Sequence, residues 1–135
     1  MTLEQIAQIV GQDPFARFLG VELLKVGEGY SKVAVTVDER MLNSHNTAHG
    51  GVIFSLADAA FAIACNSHGQ LAVALNVTIN YVAPAAPGTR LIAEATEESL
   101  GRRIGLYRLV VTAEDGTLVA TCQATAYRKN QPVVE

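Results

Sequence analysis

The chain is short of charged residues, and those that it has are not predominantly basic. Only 17% of the residues are charged, and 13 acidic side chains outnumber 10 basic ones, which gives a net charge of −3. A protein that binds nucleic acid needs a basic surface to neutralise the phosphates. The composition therefore argues against general nucleic-acid binding, and we expect no nucleic-acid partner.

Cysteine is scarce too. The two cysteines, Cys65 and Cys122, lie in apolar segments, and neither they nor the three histidines have the spacing of zinc ligands. We expect both cysteines to be reduced core residues of a cytoplasmic protein, with a disulfide as the less favoured alternative. We also expect no metal site.

The sequence has no long apolar run and no repeat, linker or low-complexity segment. Its longest apolar stretch, residues 50–65, contains Asp58 and falls short of the roughly 20 residues that span a membrane. The first residues lack the basic segment and apolar run of a secretory signal. We therefore expect one domain, residues 1–135, with no membrane partner.

Hydrophobic residues, by contrast, are abundant, at 50% of the chain. So high a share in so small a protein predicts a well-filled core together with apolar surface that another subunit covers. We expect at least a homodimer, and a homotetramer as the complete assembly.

Helical and alternating spacings of apolar residues predict an α+β fold. A helical segment opens the chain, a short second turn follows at residues 14–19, and one long apolar helix covers residues 51–66. Strands are predicted at residues 21–26, 32–37, 75–81, 91–98, 103–113 and 118–127. Two strand faces are predicted to be apolar: Leu75, Val77, Ile79 and Tyr81 in one strand, and Leu118, Ala120, Cys122, Ala124 and Ala126 in the last.

The most informative segment is the start of the long helix. A polar loop from Asn43 to His49 runs into Gly50 and Gly51, and an apolar helix with an acid at Asp58 follows. The first amides of a helix lack intrahelical acceptors and lie at the positive end of its dipole. An unpaired carboxylate in an apolar environment is costly. Together these features suggest a reactive site.

Distance decides how such a site could be built. Gly50 and Asp58 are eight residues apart, which is about 12 Å along a helix, whereas groups that act on one small reacting centre lie near 3 Å from it. Either the two features are unrelated, or a second copy supplies the carboxylate. In a two-fold dimer such a pairing would occur twice.

Simpler interpretations remain open for each residue. Asp58 could be satisfied by a local hydrogen bond or ion pair, His49 could be a capping or core histidine, and the glycines could only relax a tight turn. Asn43 is ordinary in a polar loop. Ser55 would act as a nucleophile only with a base nearby. The combination is more informative than any member, but spacing alone does not establish a function.

The pattern resembles a known family. His49-Gly-Gly, four further residues and then Leu-Ala-Asp58, with Asn43 six positions before the histidine, resembles the active-site segment of hotdog-fold acyl-CoA thioesterases. The continuation from Ala60 to Gly69 resembles the phenylacetic-acid-degradation, or PaaI-type, branch of that family. Weaker similarities follow at residues 80–84 and 101–103, so that the resemblance covers residues 14–128.

The resemblance implies a curved antiparallel sheet wrapped around one long central helix, and a dimer with its sites at the interface. The Gly50 amide would polarise the thioester carbonyl, with His49 assisting or orienting. Asn43 would position the water or the thioester. Asp58 of the opposite subunit would be the general base or the nucleophile. Ala74 stands where some relatives have a Ser or Thr that helps to hold water, so that auxiliary role is absent or is carried elsewhere.

Substrate contacts are also implied by the resemblance. Arg102 and Arg103 are candidates for binding coenzyme A phosphates, although both could be solvated surface charges. Aromatic residues near the helix could be acyl-pocket walls or core packing; these are Phe54, Phe61 and Tyr81. The full set of candidate substrate-binding residues is Gly51, Phe54, Asn66, Tyr81, Arg102 and Arg103.

The resemblance therefore predicts a hydrolase of acyl-CoA thioesters, with aromatic acyl groups such as phenylacetyl or ring-hydroxylated phenylacetyl favoured. No cofactor is expected, since coenzyme A is part of the substrate. One alternative is another hotdog activity, an enoyl-CoA hydratase or dehydratase, which would pair an Asp with a His; after Asp58 the sequence offers only Asn66 and His68. A second alternative is a non-catalytic acyl-CoA-binding module.

Overall fold

The computed structural model describes residues 1–133. Along this part of the chain, helices and strands alternate with short turns. In order, they are α1 (Leu3–Gly11), α2 (Pro14–Leu19), β1 (Glu22–Gly27), β2 (Tyr30–Thr36), a 3-10 turn (Glu39–Met41), α3 (Gly50–Asn66), β3 (Gln70–Tyr81), β4 (Arg90–Leu100), β5 (Ile104–Ala113) and β6 (Leu118–Pro132).

The strands form one antiparallel sheet in the order β1-β2-β4-β5-β6-β3. Helix α3 contacts every strand of this sheet, so that the sheet wraps around it. The predicted α+β architecture with one central helix is confirmed. The small residues Ala120, Ala124 and Ala126 are buried on the inner face of β6, where they let the sheet approach the helix closely.

Helix α3 forms where it was expected because its residues are apolar on nearly every side. Leu56, Ala60 and Ala64 are fully buried. His49 is its N-cap, and Gly69, in a left-handed conformation at φ +85°, follows its end. Among residues 1–133, no helix is both long and apolar enough to cross a membrane.

Two predictions about strand faces are wrong, and β-bulges explain both. Leu75 is 61% exposed rather than sharing the inner face with Val77, because it is the extra residue of a bulge in β3 between Ala74 and Asn76. Leu118 is 38% exposed and Val119 is fully buried, since the pairing of β6 with β5 shifts at the same point. An extra residue reverses the face on which the neighbouring side chains lie.

The two N-terminal helices pack beside α3. Helix α1 begins with a capping box at its N-cap, Thr2, and α2 begins with the N-cap Asp13 followed by Pro14. Both helices contact α3. As a result α2 lies next to the middle of α3, near Asp58.

Strand β3 is an edge of the sheet. It pairs with β6 on one side, and within residues 1–133 no strand pairs with its other side. An edge strand of 12 residues is long for one that stays uncovered, because its free backbone groups favour pairing with another strand.

Candidate active site

His49 caps helix α3 with its side chain. Its backbone is extended (φ −60°, ψ 137°), and its ring Nδ1 accepts a hydrogen bond of 2.8 Å from the Gly51 N–H. The capping role that the sequence left open is therefore present. The Gly51 amide is consequently occupied by His49, and its N–H is not available to a substrate.

The Gly50 N–H, unlike that of Gly51, is free of a hydrogen-bond acceptor among the described residues. Gly50 is the first residue of α3 and is half-buried, and within residues 1–133 its N–H has no acceptor. A free amide at a helix start carries part of the positive end of the dipole. Gly50 therefore offers a hydrogen-bond donor suited to an oxygen that gains negative charge.

A cavity of about 330 Å³ adjoins this amide. Its lining brings Gly50 together with two other predicted site residues, Asn43 and Tyr81, which come from the loop before α3 and from the end of β3. The remaining lining residues are Thr47, Ala48, Ile53, Val82, Ala83 and Pro84.

Asn43 organises the loop that forms one side of this cavity. Its Oδ1 accepts hydrogen bonds from the backbone N–H of His45 (2.9 Å) and of Thr47 (3.2 Å), and its Nδ2 donates to Thr47 Oγ1 (3.0 Å). One N–H of the amide group then remains without an acceptor within residues 1–133. Thr47 was not anticipated, because nothing in the sequence indicated that it would hold Asn43 in place.

Tyr81 lies directly over the helix start. Its hydroxyl donates a hydrogen bond of 3.0 Å to the Gly50 carbonyl oxygen. A Cβ added to Gly50 would approach the Tyr81 ring Cζ and hydroxyl at 3.2 Å. Glycine is therefore the residue that fits at position 50 without displacing the ring.

Asp58 has no hydrogen-bond or ion-pair partner for its carboxylate within residues 1–133. The local hydrogen bond or ion pair that the sequence left open as an alternative is therefore not formed within one chain. The side chain is half-buried. Burial raises the pKa of its carboxyl, and the nearby Asp13 carboxylate raises that pKa further. An unpartnered acid of this kind is the type of group found at reactive sites.

A second cavity, of about 260 Å³, contains Asp58. Asp13 and Phe15 of the α2 segment lie on one side, and Phe54 and Asp58 of α3 lie on the other. The other lining residues are Ala16, Leu19, Val21, Ser55, Ala59 and Ala62. Nothing in the sequence indicated that α2 would bring Asp13 and Phe15 to Asp58.

The two cavities have no lining residue in common. One chain therefore separates three of the four predicted catalytic residues into two groups, Asn43 with Gly50 in the first cavity and Asp58 in the second, whereas His49 lines neither. This agrees with the spacing of about 12 Å along the helix.

Asn66, a predicted substrate contact, makes hydrogen bonds within its own chain. It is only 5% exposed. Its Nδ2 donates to the carbonyl oxygens of Ala62 (2.9 Å) and Ala72 (3.1 Å), and its Oδ1 accepts from the Ala72 N–H (2.9 Å). These bonds tie the end of α3 to the start of β3 and occupy both N–H groups and one lone pair of the side-chain amide.

Arg102 and Arg103 lie far from the Gly50 of their own chain. They form the β4–β5 turn, next to Ile104. Ile104 pairs with Tyr127 of β6, and Tyr127 pairs in turn with Val73 of β3, so this turn is level with Val73. Gly50 contacts Tyr81, at the other end of β3 and roughly 26 Å away along the strand. Both arginines are exposed, and Arg128 holds their turn by donating to the Gly101 carbonyl (2.8 Å).

The remaining candidates pack or pair locally. Phe61 is buried against Tyr107 in an edge-to-face contact, and the Ser55 hydroxyl donates to the Gly51 carbonyl (2.6 Å). His68 bonds Glu97 through Nε2 at 2.7 Å rather than approaching Asp58. Cys65 is a free, buried thiol, as predicted, and burial raises its pKa to about 12.

Cys122 is likewise free and buried. Burial raises the pKa of its thiol to about 11, so both cysteines are protonated core residues at neutral pH. In the part of the chain that the structure covers, no three His, Cys, Asp or Glu side chains are grouped as metal ligands.

Known proteins are similar to this chain in sequence. Residues 45–120 match the model of the thioesterase superfamily. A putative esterase of Archaeoglobus fulgidus is 44% identical over 119 residues, which are 88% of this chain and 77% of that protein. The acyl-coenzyme A thioesterase PaaI of Escherichia coli is 39% identical over 116 residues, which are 86% of this chain and 83% of that protein.

Solved structures share the fold. The PaaI protein of the phenylacetic acid degradation operon of Escherichia coli superimposes with a TM-score of 0.91 at 34% identity, covering 97% of this chain and 99% of that one. A hypothetical thioesterase of Streptococcus pneumoniae, solved with coenzyme A, gives a TM-score of 0.81 at 26% identity over 85% of this chain and 93% of that one. The chain belongs to the thioesterase superfamily, in which it is a hotdog-fold enzyme of the PaaI-type acyl-CoA thioesterases.

Proposed function

We propose that this protein hydrolyses acyl-CoA thioesters, with aromatic acyl groups such as phenylacetyl favoured, at a site shared between two subunits. The observation that carries the proposal is the division of the site within one chain. A free Gly50 N–H and an unpartnered Asp58 carboxylate lie on the same helix but line different cavities. Two copies related by a two-fold axis can unite the halves, twice per dimer.

The chemistry follows from these two groups. The Gly50 N–H donates a hydrogen bond to the thioester carbonyl oxygen and stabilises the negative charge that develops on it. Asp58 of the other subunit removes a proton from a water molecule, whose oxygen bonds to the carbonyl carbon. The tetrahedral intermediate then collapses, the carbon–sulfur bond breaks, and the coenzyme A thiolate leaves and takes up a proton. Direct attack by the Asp58 carboxylate is the alternative first step.

The raised pKa of Asp58 suits the role of a base. A carboxylate that is costly to ionise in its cavity accepts a proton more readily than an exposed aspartate. Asn43 contributes its remaining amide N–H from the other side of the Gly50 cavity, where it can hold the water or the thioester.

The free edge of β3 supports the dimer. When two β3 strands pair antiparallel across a two-fold axis, the α3 helices that pack against them also run antiparallel. Each Gly50 then approaches the middle of the other helix, where Asp58 is located. The same pairing brings the β4–β5 turn of one subunit towards the helix start of the other. Arg102 and Arg103 would there bind the coenzyme A phosphates of the partner's site.

The walls of the Asp58 cavity support an aromatic acyl group. Phe15 and Phe54 line it together with Leu19, and a ring packs favourably against aromatic and aliphatic side chains. The PaaI proteins to which the chain is similar include one from a phenylacetic acid degradation operon.

The experiment that tests the role of Gly50 compares two variants. Gly50→Pro removes the N–H, and proline is accepted at the first position of a helix, the more so because the preceding His49 is already extended at ψ 137°. Gly50→Ala adds a Cβ in the same place but keeps the N–H. Both variants disturb Tyr81, so that the difference between them reports the amide.

We expect Gly50→Pro to lose roughly 100-fold or more in kcat relative to Gly50→Ala, measured with acetyl-, butyryl- and phenylacetyl-CoA by release of free thiol. Wild-type enzyme should turn over phenylacetyl-CoA with the highest kcat/KM of the three. Equal rates for the two variants would refute the role of the amide. Absence of wild-type turnover with every thioester would refute hydrolysis itself.

A further inference from the structure

The peptide between Gly50 and Gly51 is held at both of its polar ends. Its carbonyl oxygen, that of Gly50, accepts a hydrogen bond of 3.0 Å from the Tyr81 hydroxyl. Its N–H, that of Gly51, donates a hydrogen bond of 2.8 Å to His49 Nδ1. The two bonds act on one rigid plane from opposite sides, because a peptide unit is planar.

Such a restraint matters more at this position than elsewhere. Two consecutive glycines have more conformational freedom than any other pair of residues, and the Gly50 N–H belongs to the peptide that immediately precedes the restrained one. Without a restraint, rotation about the Gly50 backbone would move this amide relative to anything bound in the cavity. An electrostatic donor is effective only when it is fixed before the reaction.

We call the two side chains that hold this peptide, those of His49 and Tyr81, the clamp. Both residues are themselves held in place by backbone hydrogen bonds. The backbone N–H of His49 donates to the Met41 carbonyl (2.7 Å), and that of the preceding Ala48 donates to the Ala85 carbonyl (2.8 Å). Tyr81 is the last residue of β3 and pairs with Ala120. The clamp thus connects the start of α3 to the end of β3 and to the loop before α3.

We infer that Tyr81 is a positioning residue, whose hydroxyl acts together with the His49 imidazole to hold the Gly50–Gly51 peptide so that the Gly50 amide stays in place at the cavity. The effect of this clamp on catalysis rests on the proposed function, in which the Gly50 amide binds the thioester carbonyl. The inference departs from the expectation that Tyr81 is only a wall of the acyl pocket, because the effect comes from the hydroxyl group and reaches the substrate through Gly50.

The kinetic test uses Tyr81→Phe, which removes the hydroxyl and keeps the ring. We expect kcat to fall about three- to tenfold, in line with the loss of one hydrogen bond, while KM is unchanged. The factor should be the same for acetyl-CoA and phenylacetyl-CoA, since the carbonyl is common to both. The control is Tyr30→Phe, which also removes one tyrosine hydroxyl hydrogen bond, to Glu94, but lies on β2, separated from β3 by β4, β5 and β6.

Two kinetic results would overturn the inference. One is an unchanged kcat in Tyr81→Phe. The other is a loss confined to KM or to the aromatic substrate, which would identify Tyr81 as a pocket wall. A cycle with His49→Ala adds a further criterion: if both residues hold one peptide, the loss in the double variant differs from the product of the single losses, whereas equality with that product contradicts a shared clamp.

A measurement without substrate separates the clamp from the reaction. In the ligand-free protein we expect amide hydrogen exchange at Gly51, followed by NMR, to accelerate about threefold or more in Tyr81→Phe and to be unchanged in Tyr30→Phe. Unchanged exchange at Gly51 in Tyr81→Phe would refute the clamp. Accelerated exchange in a protein that hydrolyses no thioester would leave the clamp standing and reject the proposed function.

Discussion

At the scale of single residues, Asp58 shows a conflict between stability and reactivity. The carboxylate is half-buried, has no partner within residues 1–133, and lies near a second acid, Asp13. A fold optimised for stability alone would place an apolar or amide side chain there. Groups of this kind persist where the reaction requires them and the rest of the fold offsets their cost.

Replacing Asp58 by Asn should therefore abolish most of the activity. We expect kcat to fall roughly 100- to 10,000-fold, the range attributed to general acid–base catalysis, because an amide can neither take up the proton nor attack. In the wild type the catalytic form is the ionised one. Since the pKa is raised, kcat should increase with pH through a value above that of an exposed aspartate. Near-complete activity of Asp58→Asn in a steady-state assay would contradict the assignment.

The same substitution should stabilise the fold at neutral pH. Because folding raises the pKa of Asp58, the protonated form is preferred in the folded state, and the contribution of this group to stability is lost as the pH rises through the folded pKa. We expect Asp58→Asn to raise the Tm at pH 7 by about 2 °C or more, and the gain to vanish below the pKa of an unfolded aspartate.

Asp115→Asn is the matched control for this stability effect. Hydrogen bonds from Thr117 lower the pKa of Asp115, so that its charged form is the one favoured by the fold. Differential scanning calorimetry of the two variants from pH 3 to pH 8 should show a gain for Asp58→Asn only. A lower Tm for Asp58→Asn at pH 7 would mean that the carboxylate has a stabilising partner in the assembled protein.

At the scale of elements, the end of α3 is joined to β3 by one side chain. Asn66 makes three hydrogen bonds across this junction while 5% exposed. Asn66→Ala leaves the Ala72 N–H and its carbonyl without these partners, and we expect a loss of about 2–3 kcal/mol in the free energy of unfolding, measured by urea denaturation.

The kinetics of the same variant distinguish structure from binding. If Asn66 is structural, KM for acyl-CoA should be the same in Asn66→Ala as in the wild type at a temperature where both are folded. A rise in KM with no change in the urea midpoint would restore the substrate contact that the sequence suggested. Ser99→Ala, at an exposed position of β4, provides a control for surface substitutions.

At the scale of the whole molecule, the proposed joint action of Gly50 and Asp58 needs two chains for one site, because the two residues line separate cavities of one chain. A mixed dimer of Asp58→Asn and Gly50→Pro subunits would contain one intact site, with Gly50 from the first subunit and Asp58 from the second. Its other site would carry both defects. Random mixing of equal amounts should restore about one quarter of wild-type activity, since half of the dimers are mixed and each has one of two sites.

This complementation should be measured after co-refolding or co-expression. Mixed dimers purified through two different affinity tags should have about one half of wild-type activity, because each has one intact site of two. Each parent variant alone should be nearly inactive. Verified mixed dimers with no more activity than the parents would show that the sites do not cross the interface. The expected homodimer and homotetramer are checked in the same preparations by light scattering.

Much of the fold could be predicted from local pattern. The apolar run of α3 and the strand segments of β4 and β5 each follow from the residues in that segment. The two bulges could not be predicted, because an extra residue in a strand is recognised only against its partner strand. That is why Leu75 and Leu118 were assigned to the wrong face.

The site was predictable to a similar extent. The motif singled out Asn43, His49, Gly50 and Asp58, and the helical rise alone required that Gly50 and Asp58 serve different sites within one chain. The resemblance assigned the donor role to Gly50, but the sequence did not show that the Gly51 N–H is occupied by the His49 ring. Nor did it identify Asn66 as a structural residue.

The sequence by itself determined the central helix, the α+β class and the candidate acid and amide, because these depend on the order of apolar and polar residues along the chain. Only the tertiary structure decided that Tyr81 lies over Gly50, that α2 brings Asp13 and Phe15 to Asp58, and that Arg102 and Arg103 lie at the far end of the sheet. These contacts join residues that are distant in the chain, and they depend on strand register and helix packing, which no single segment encodes.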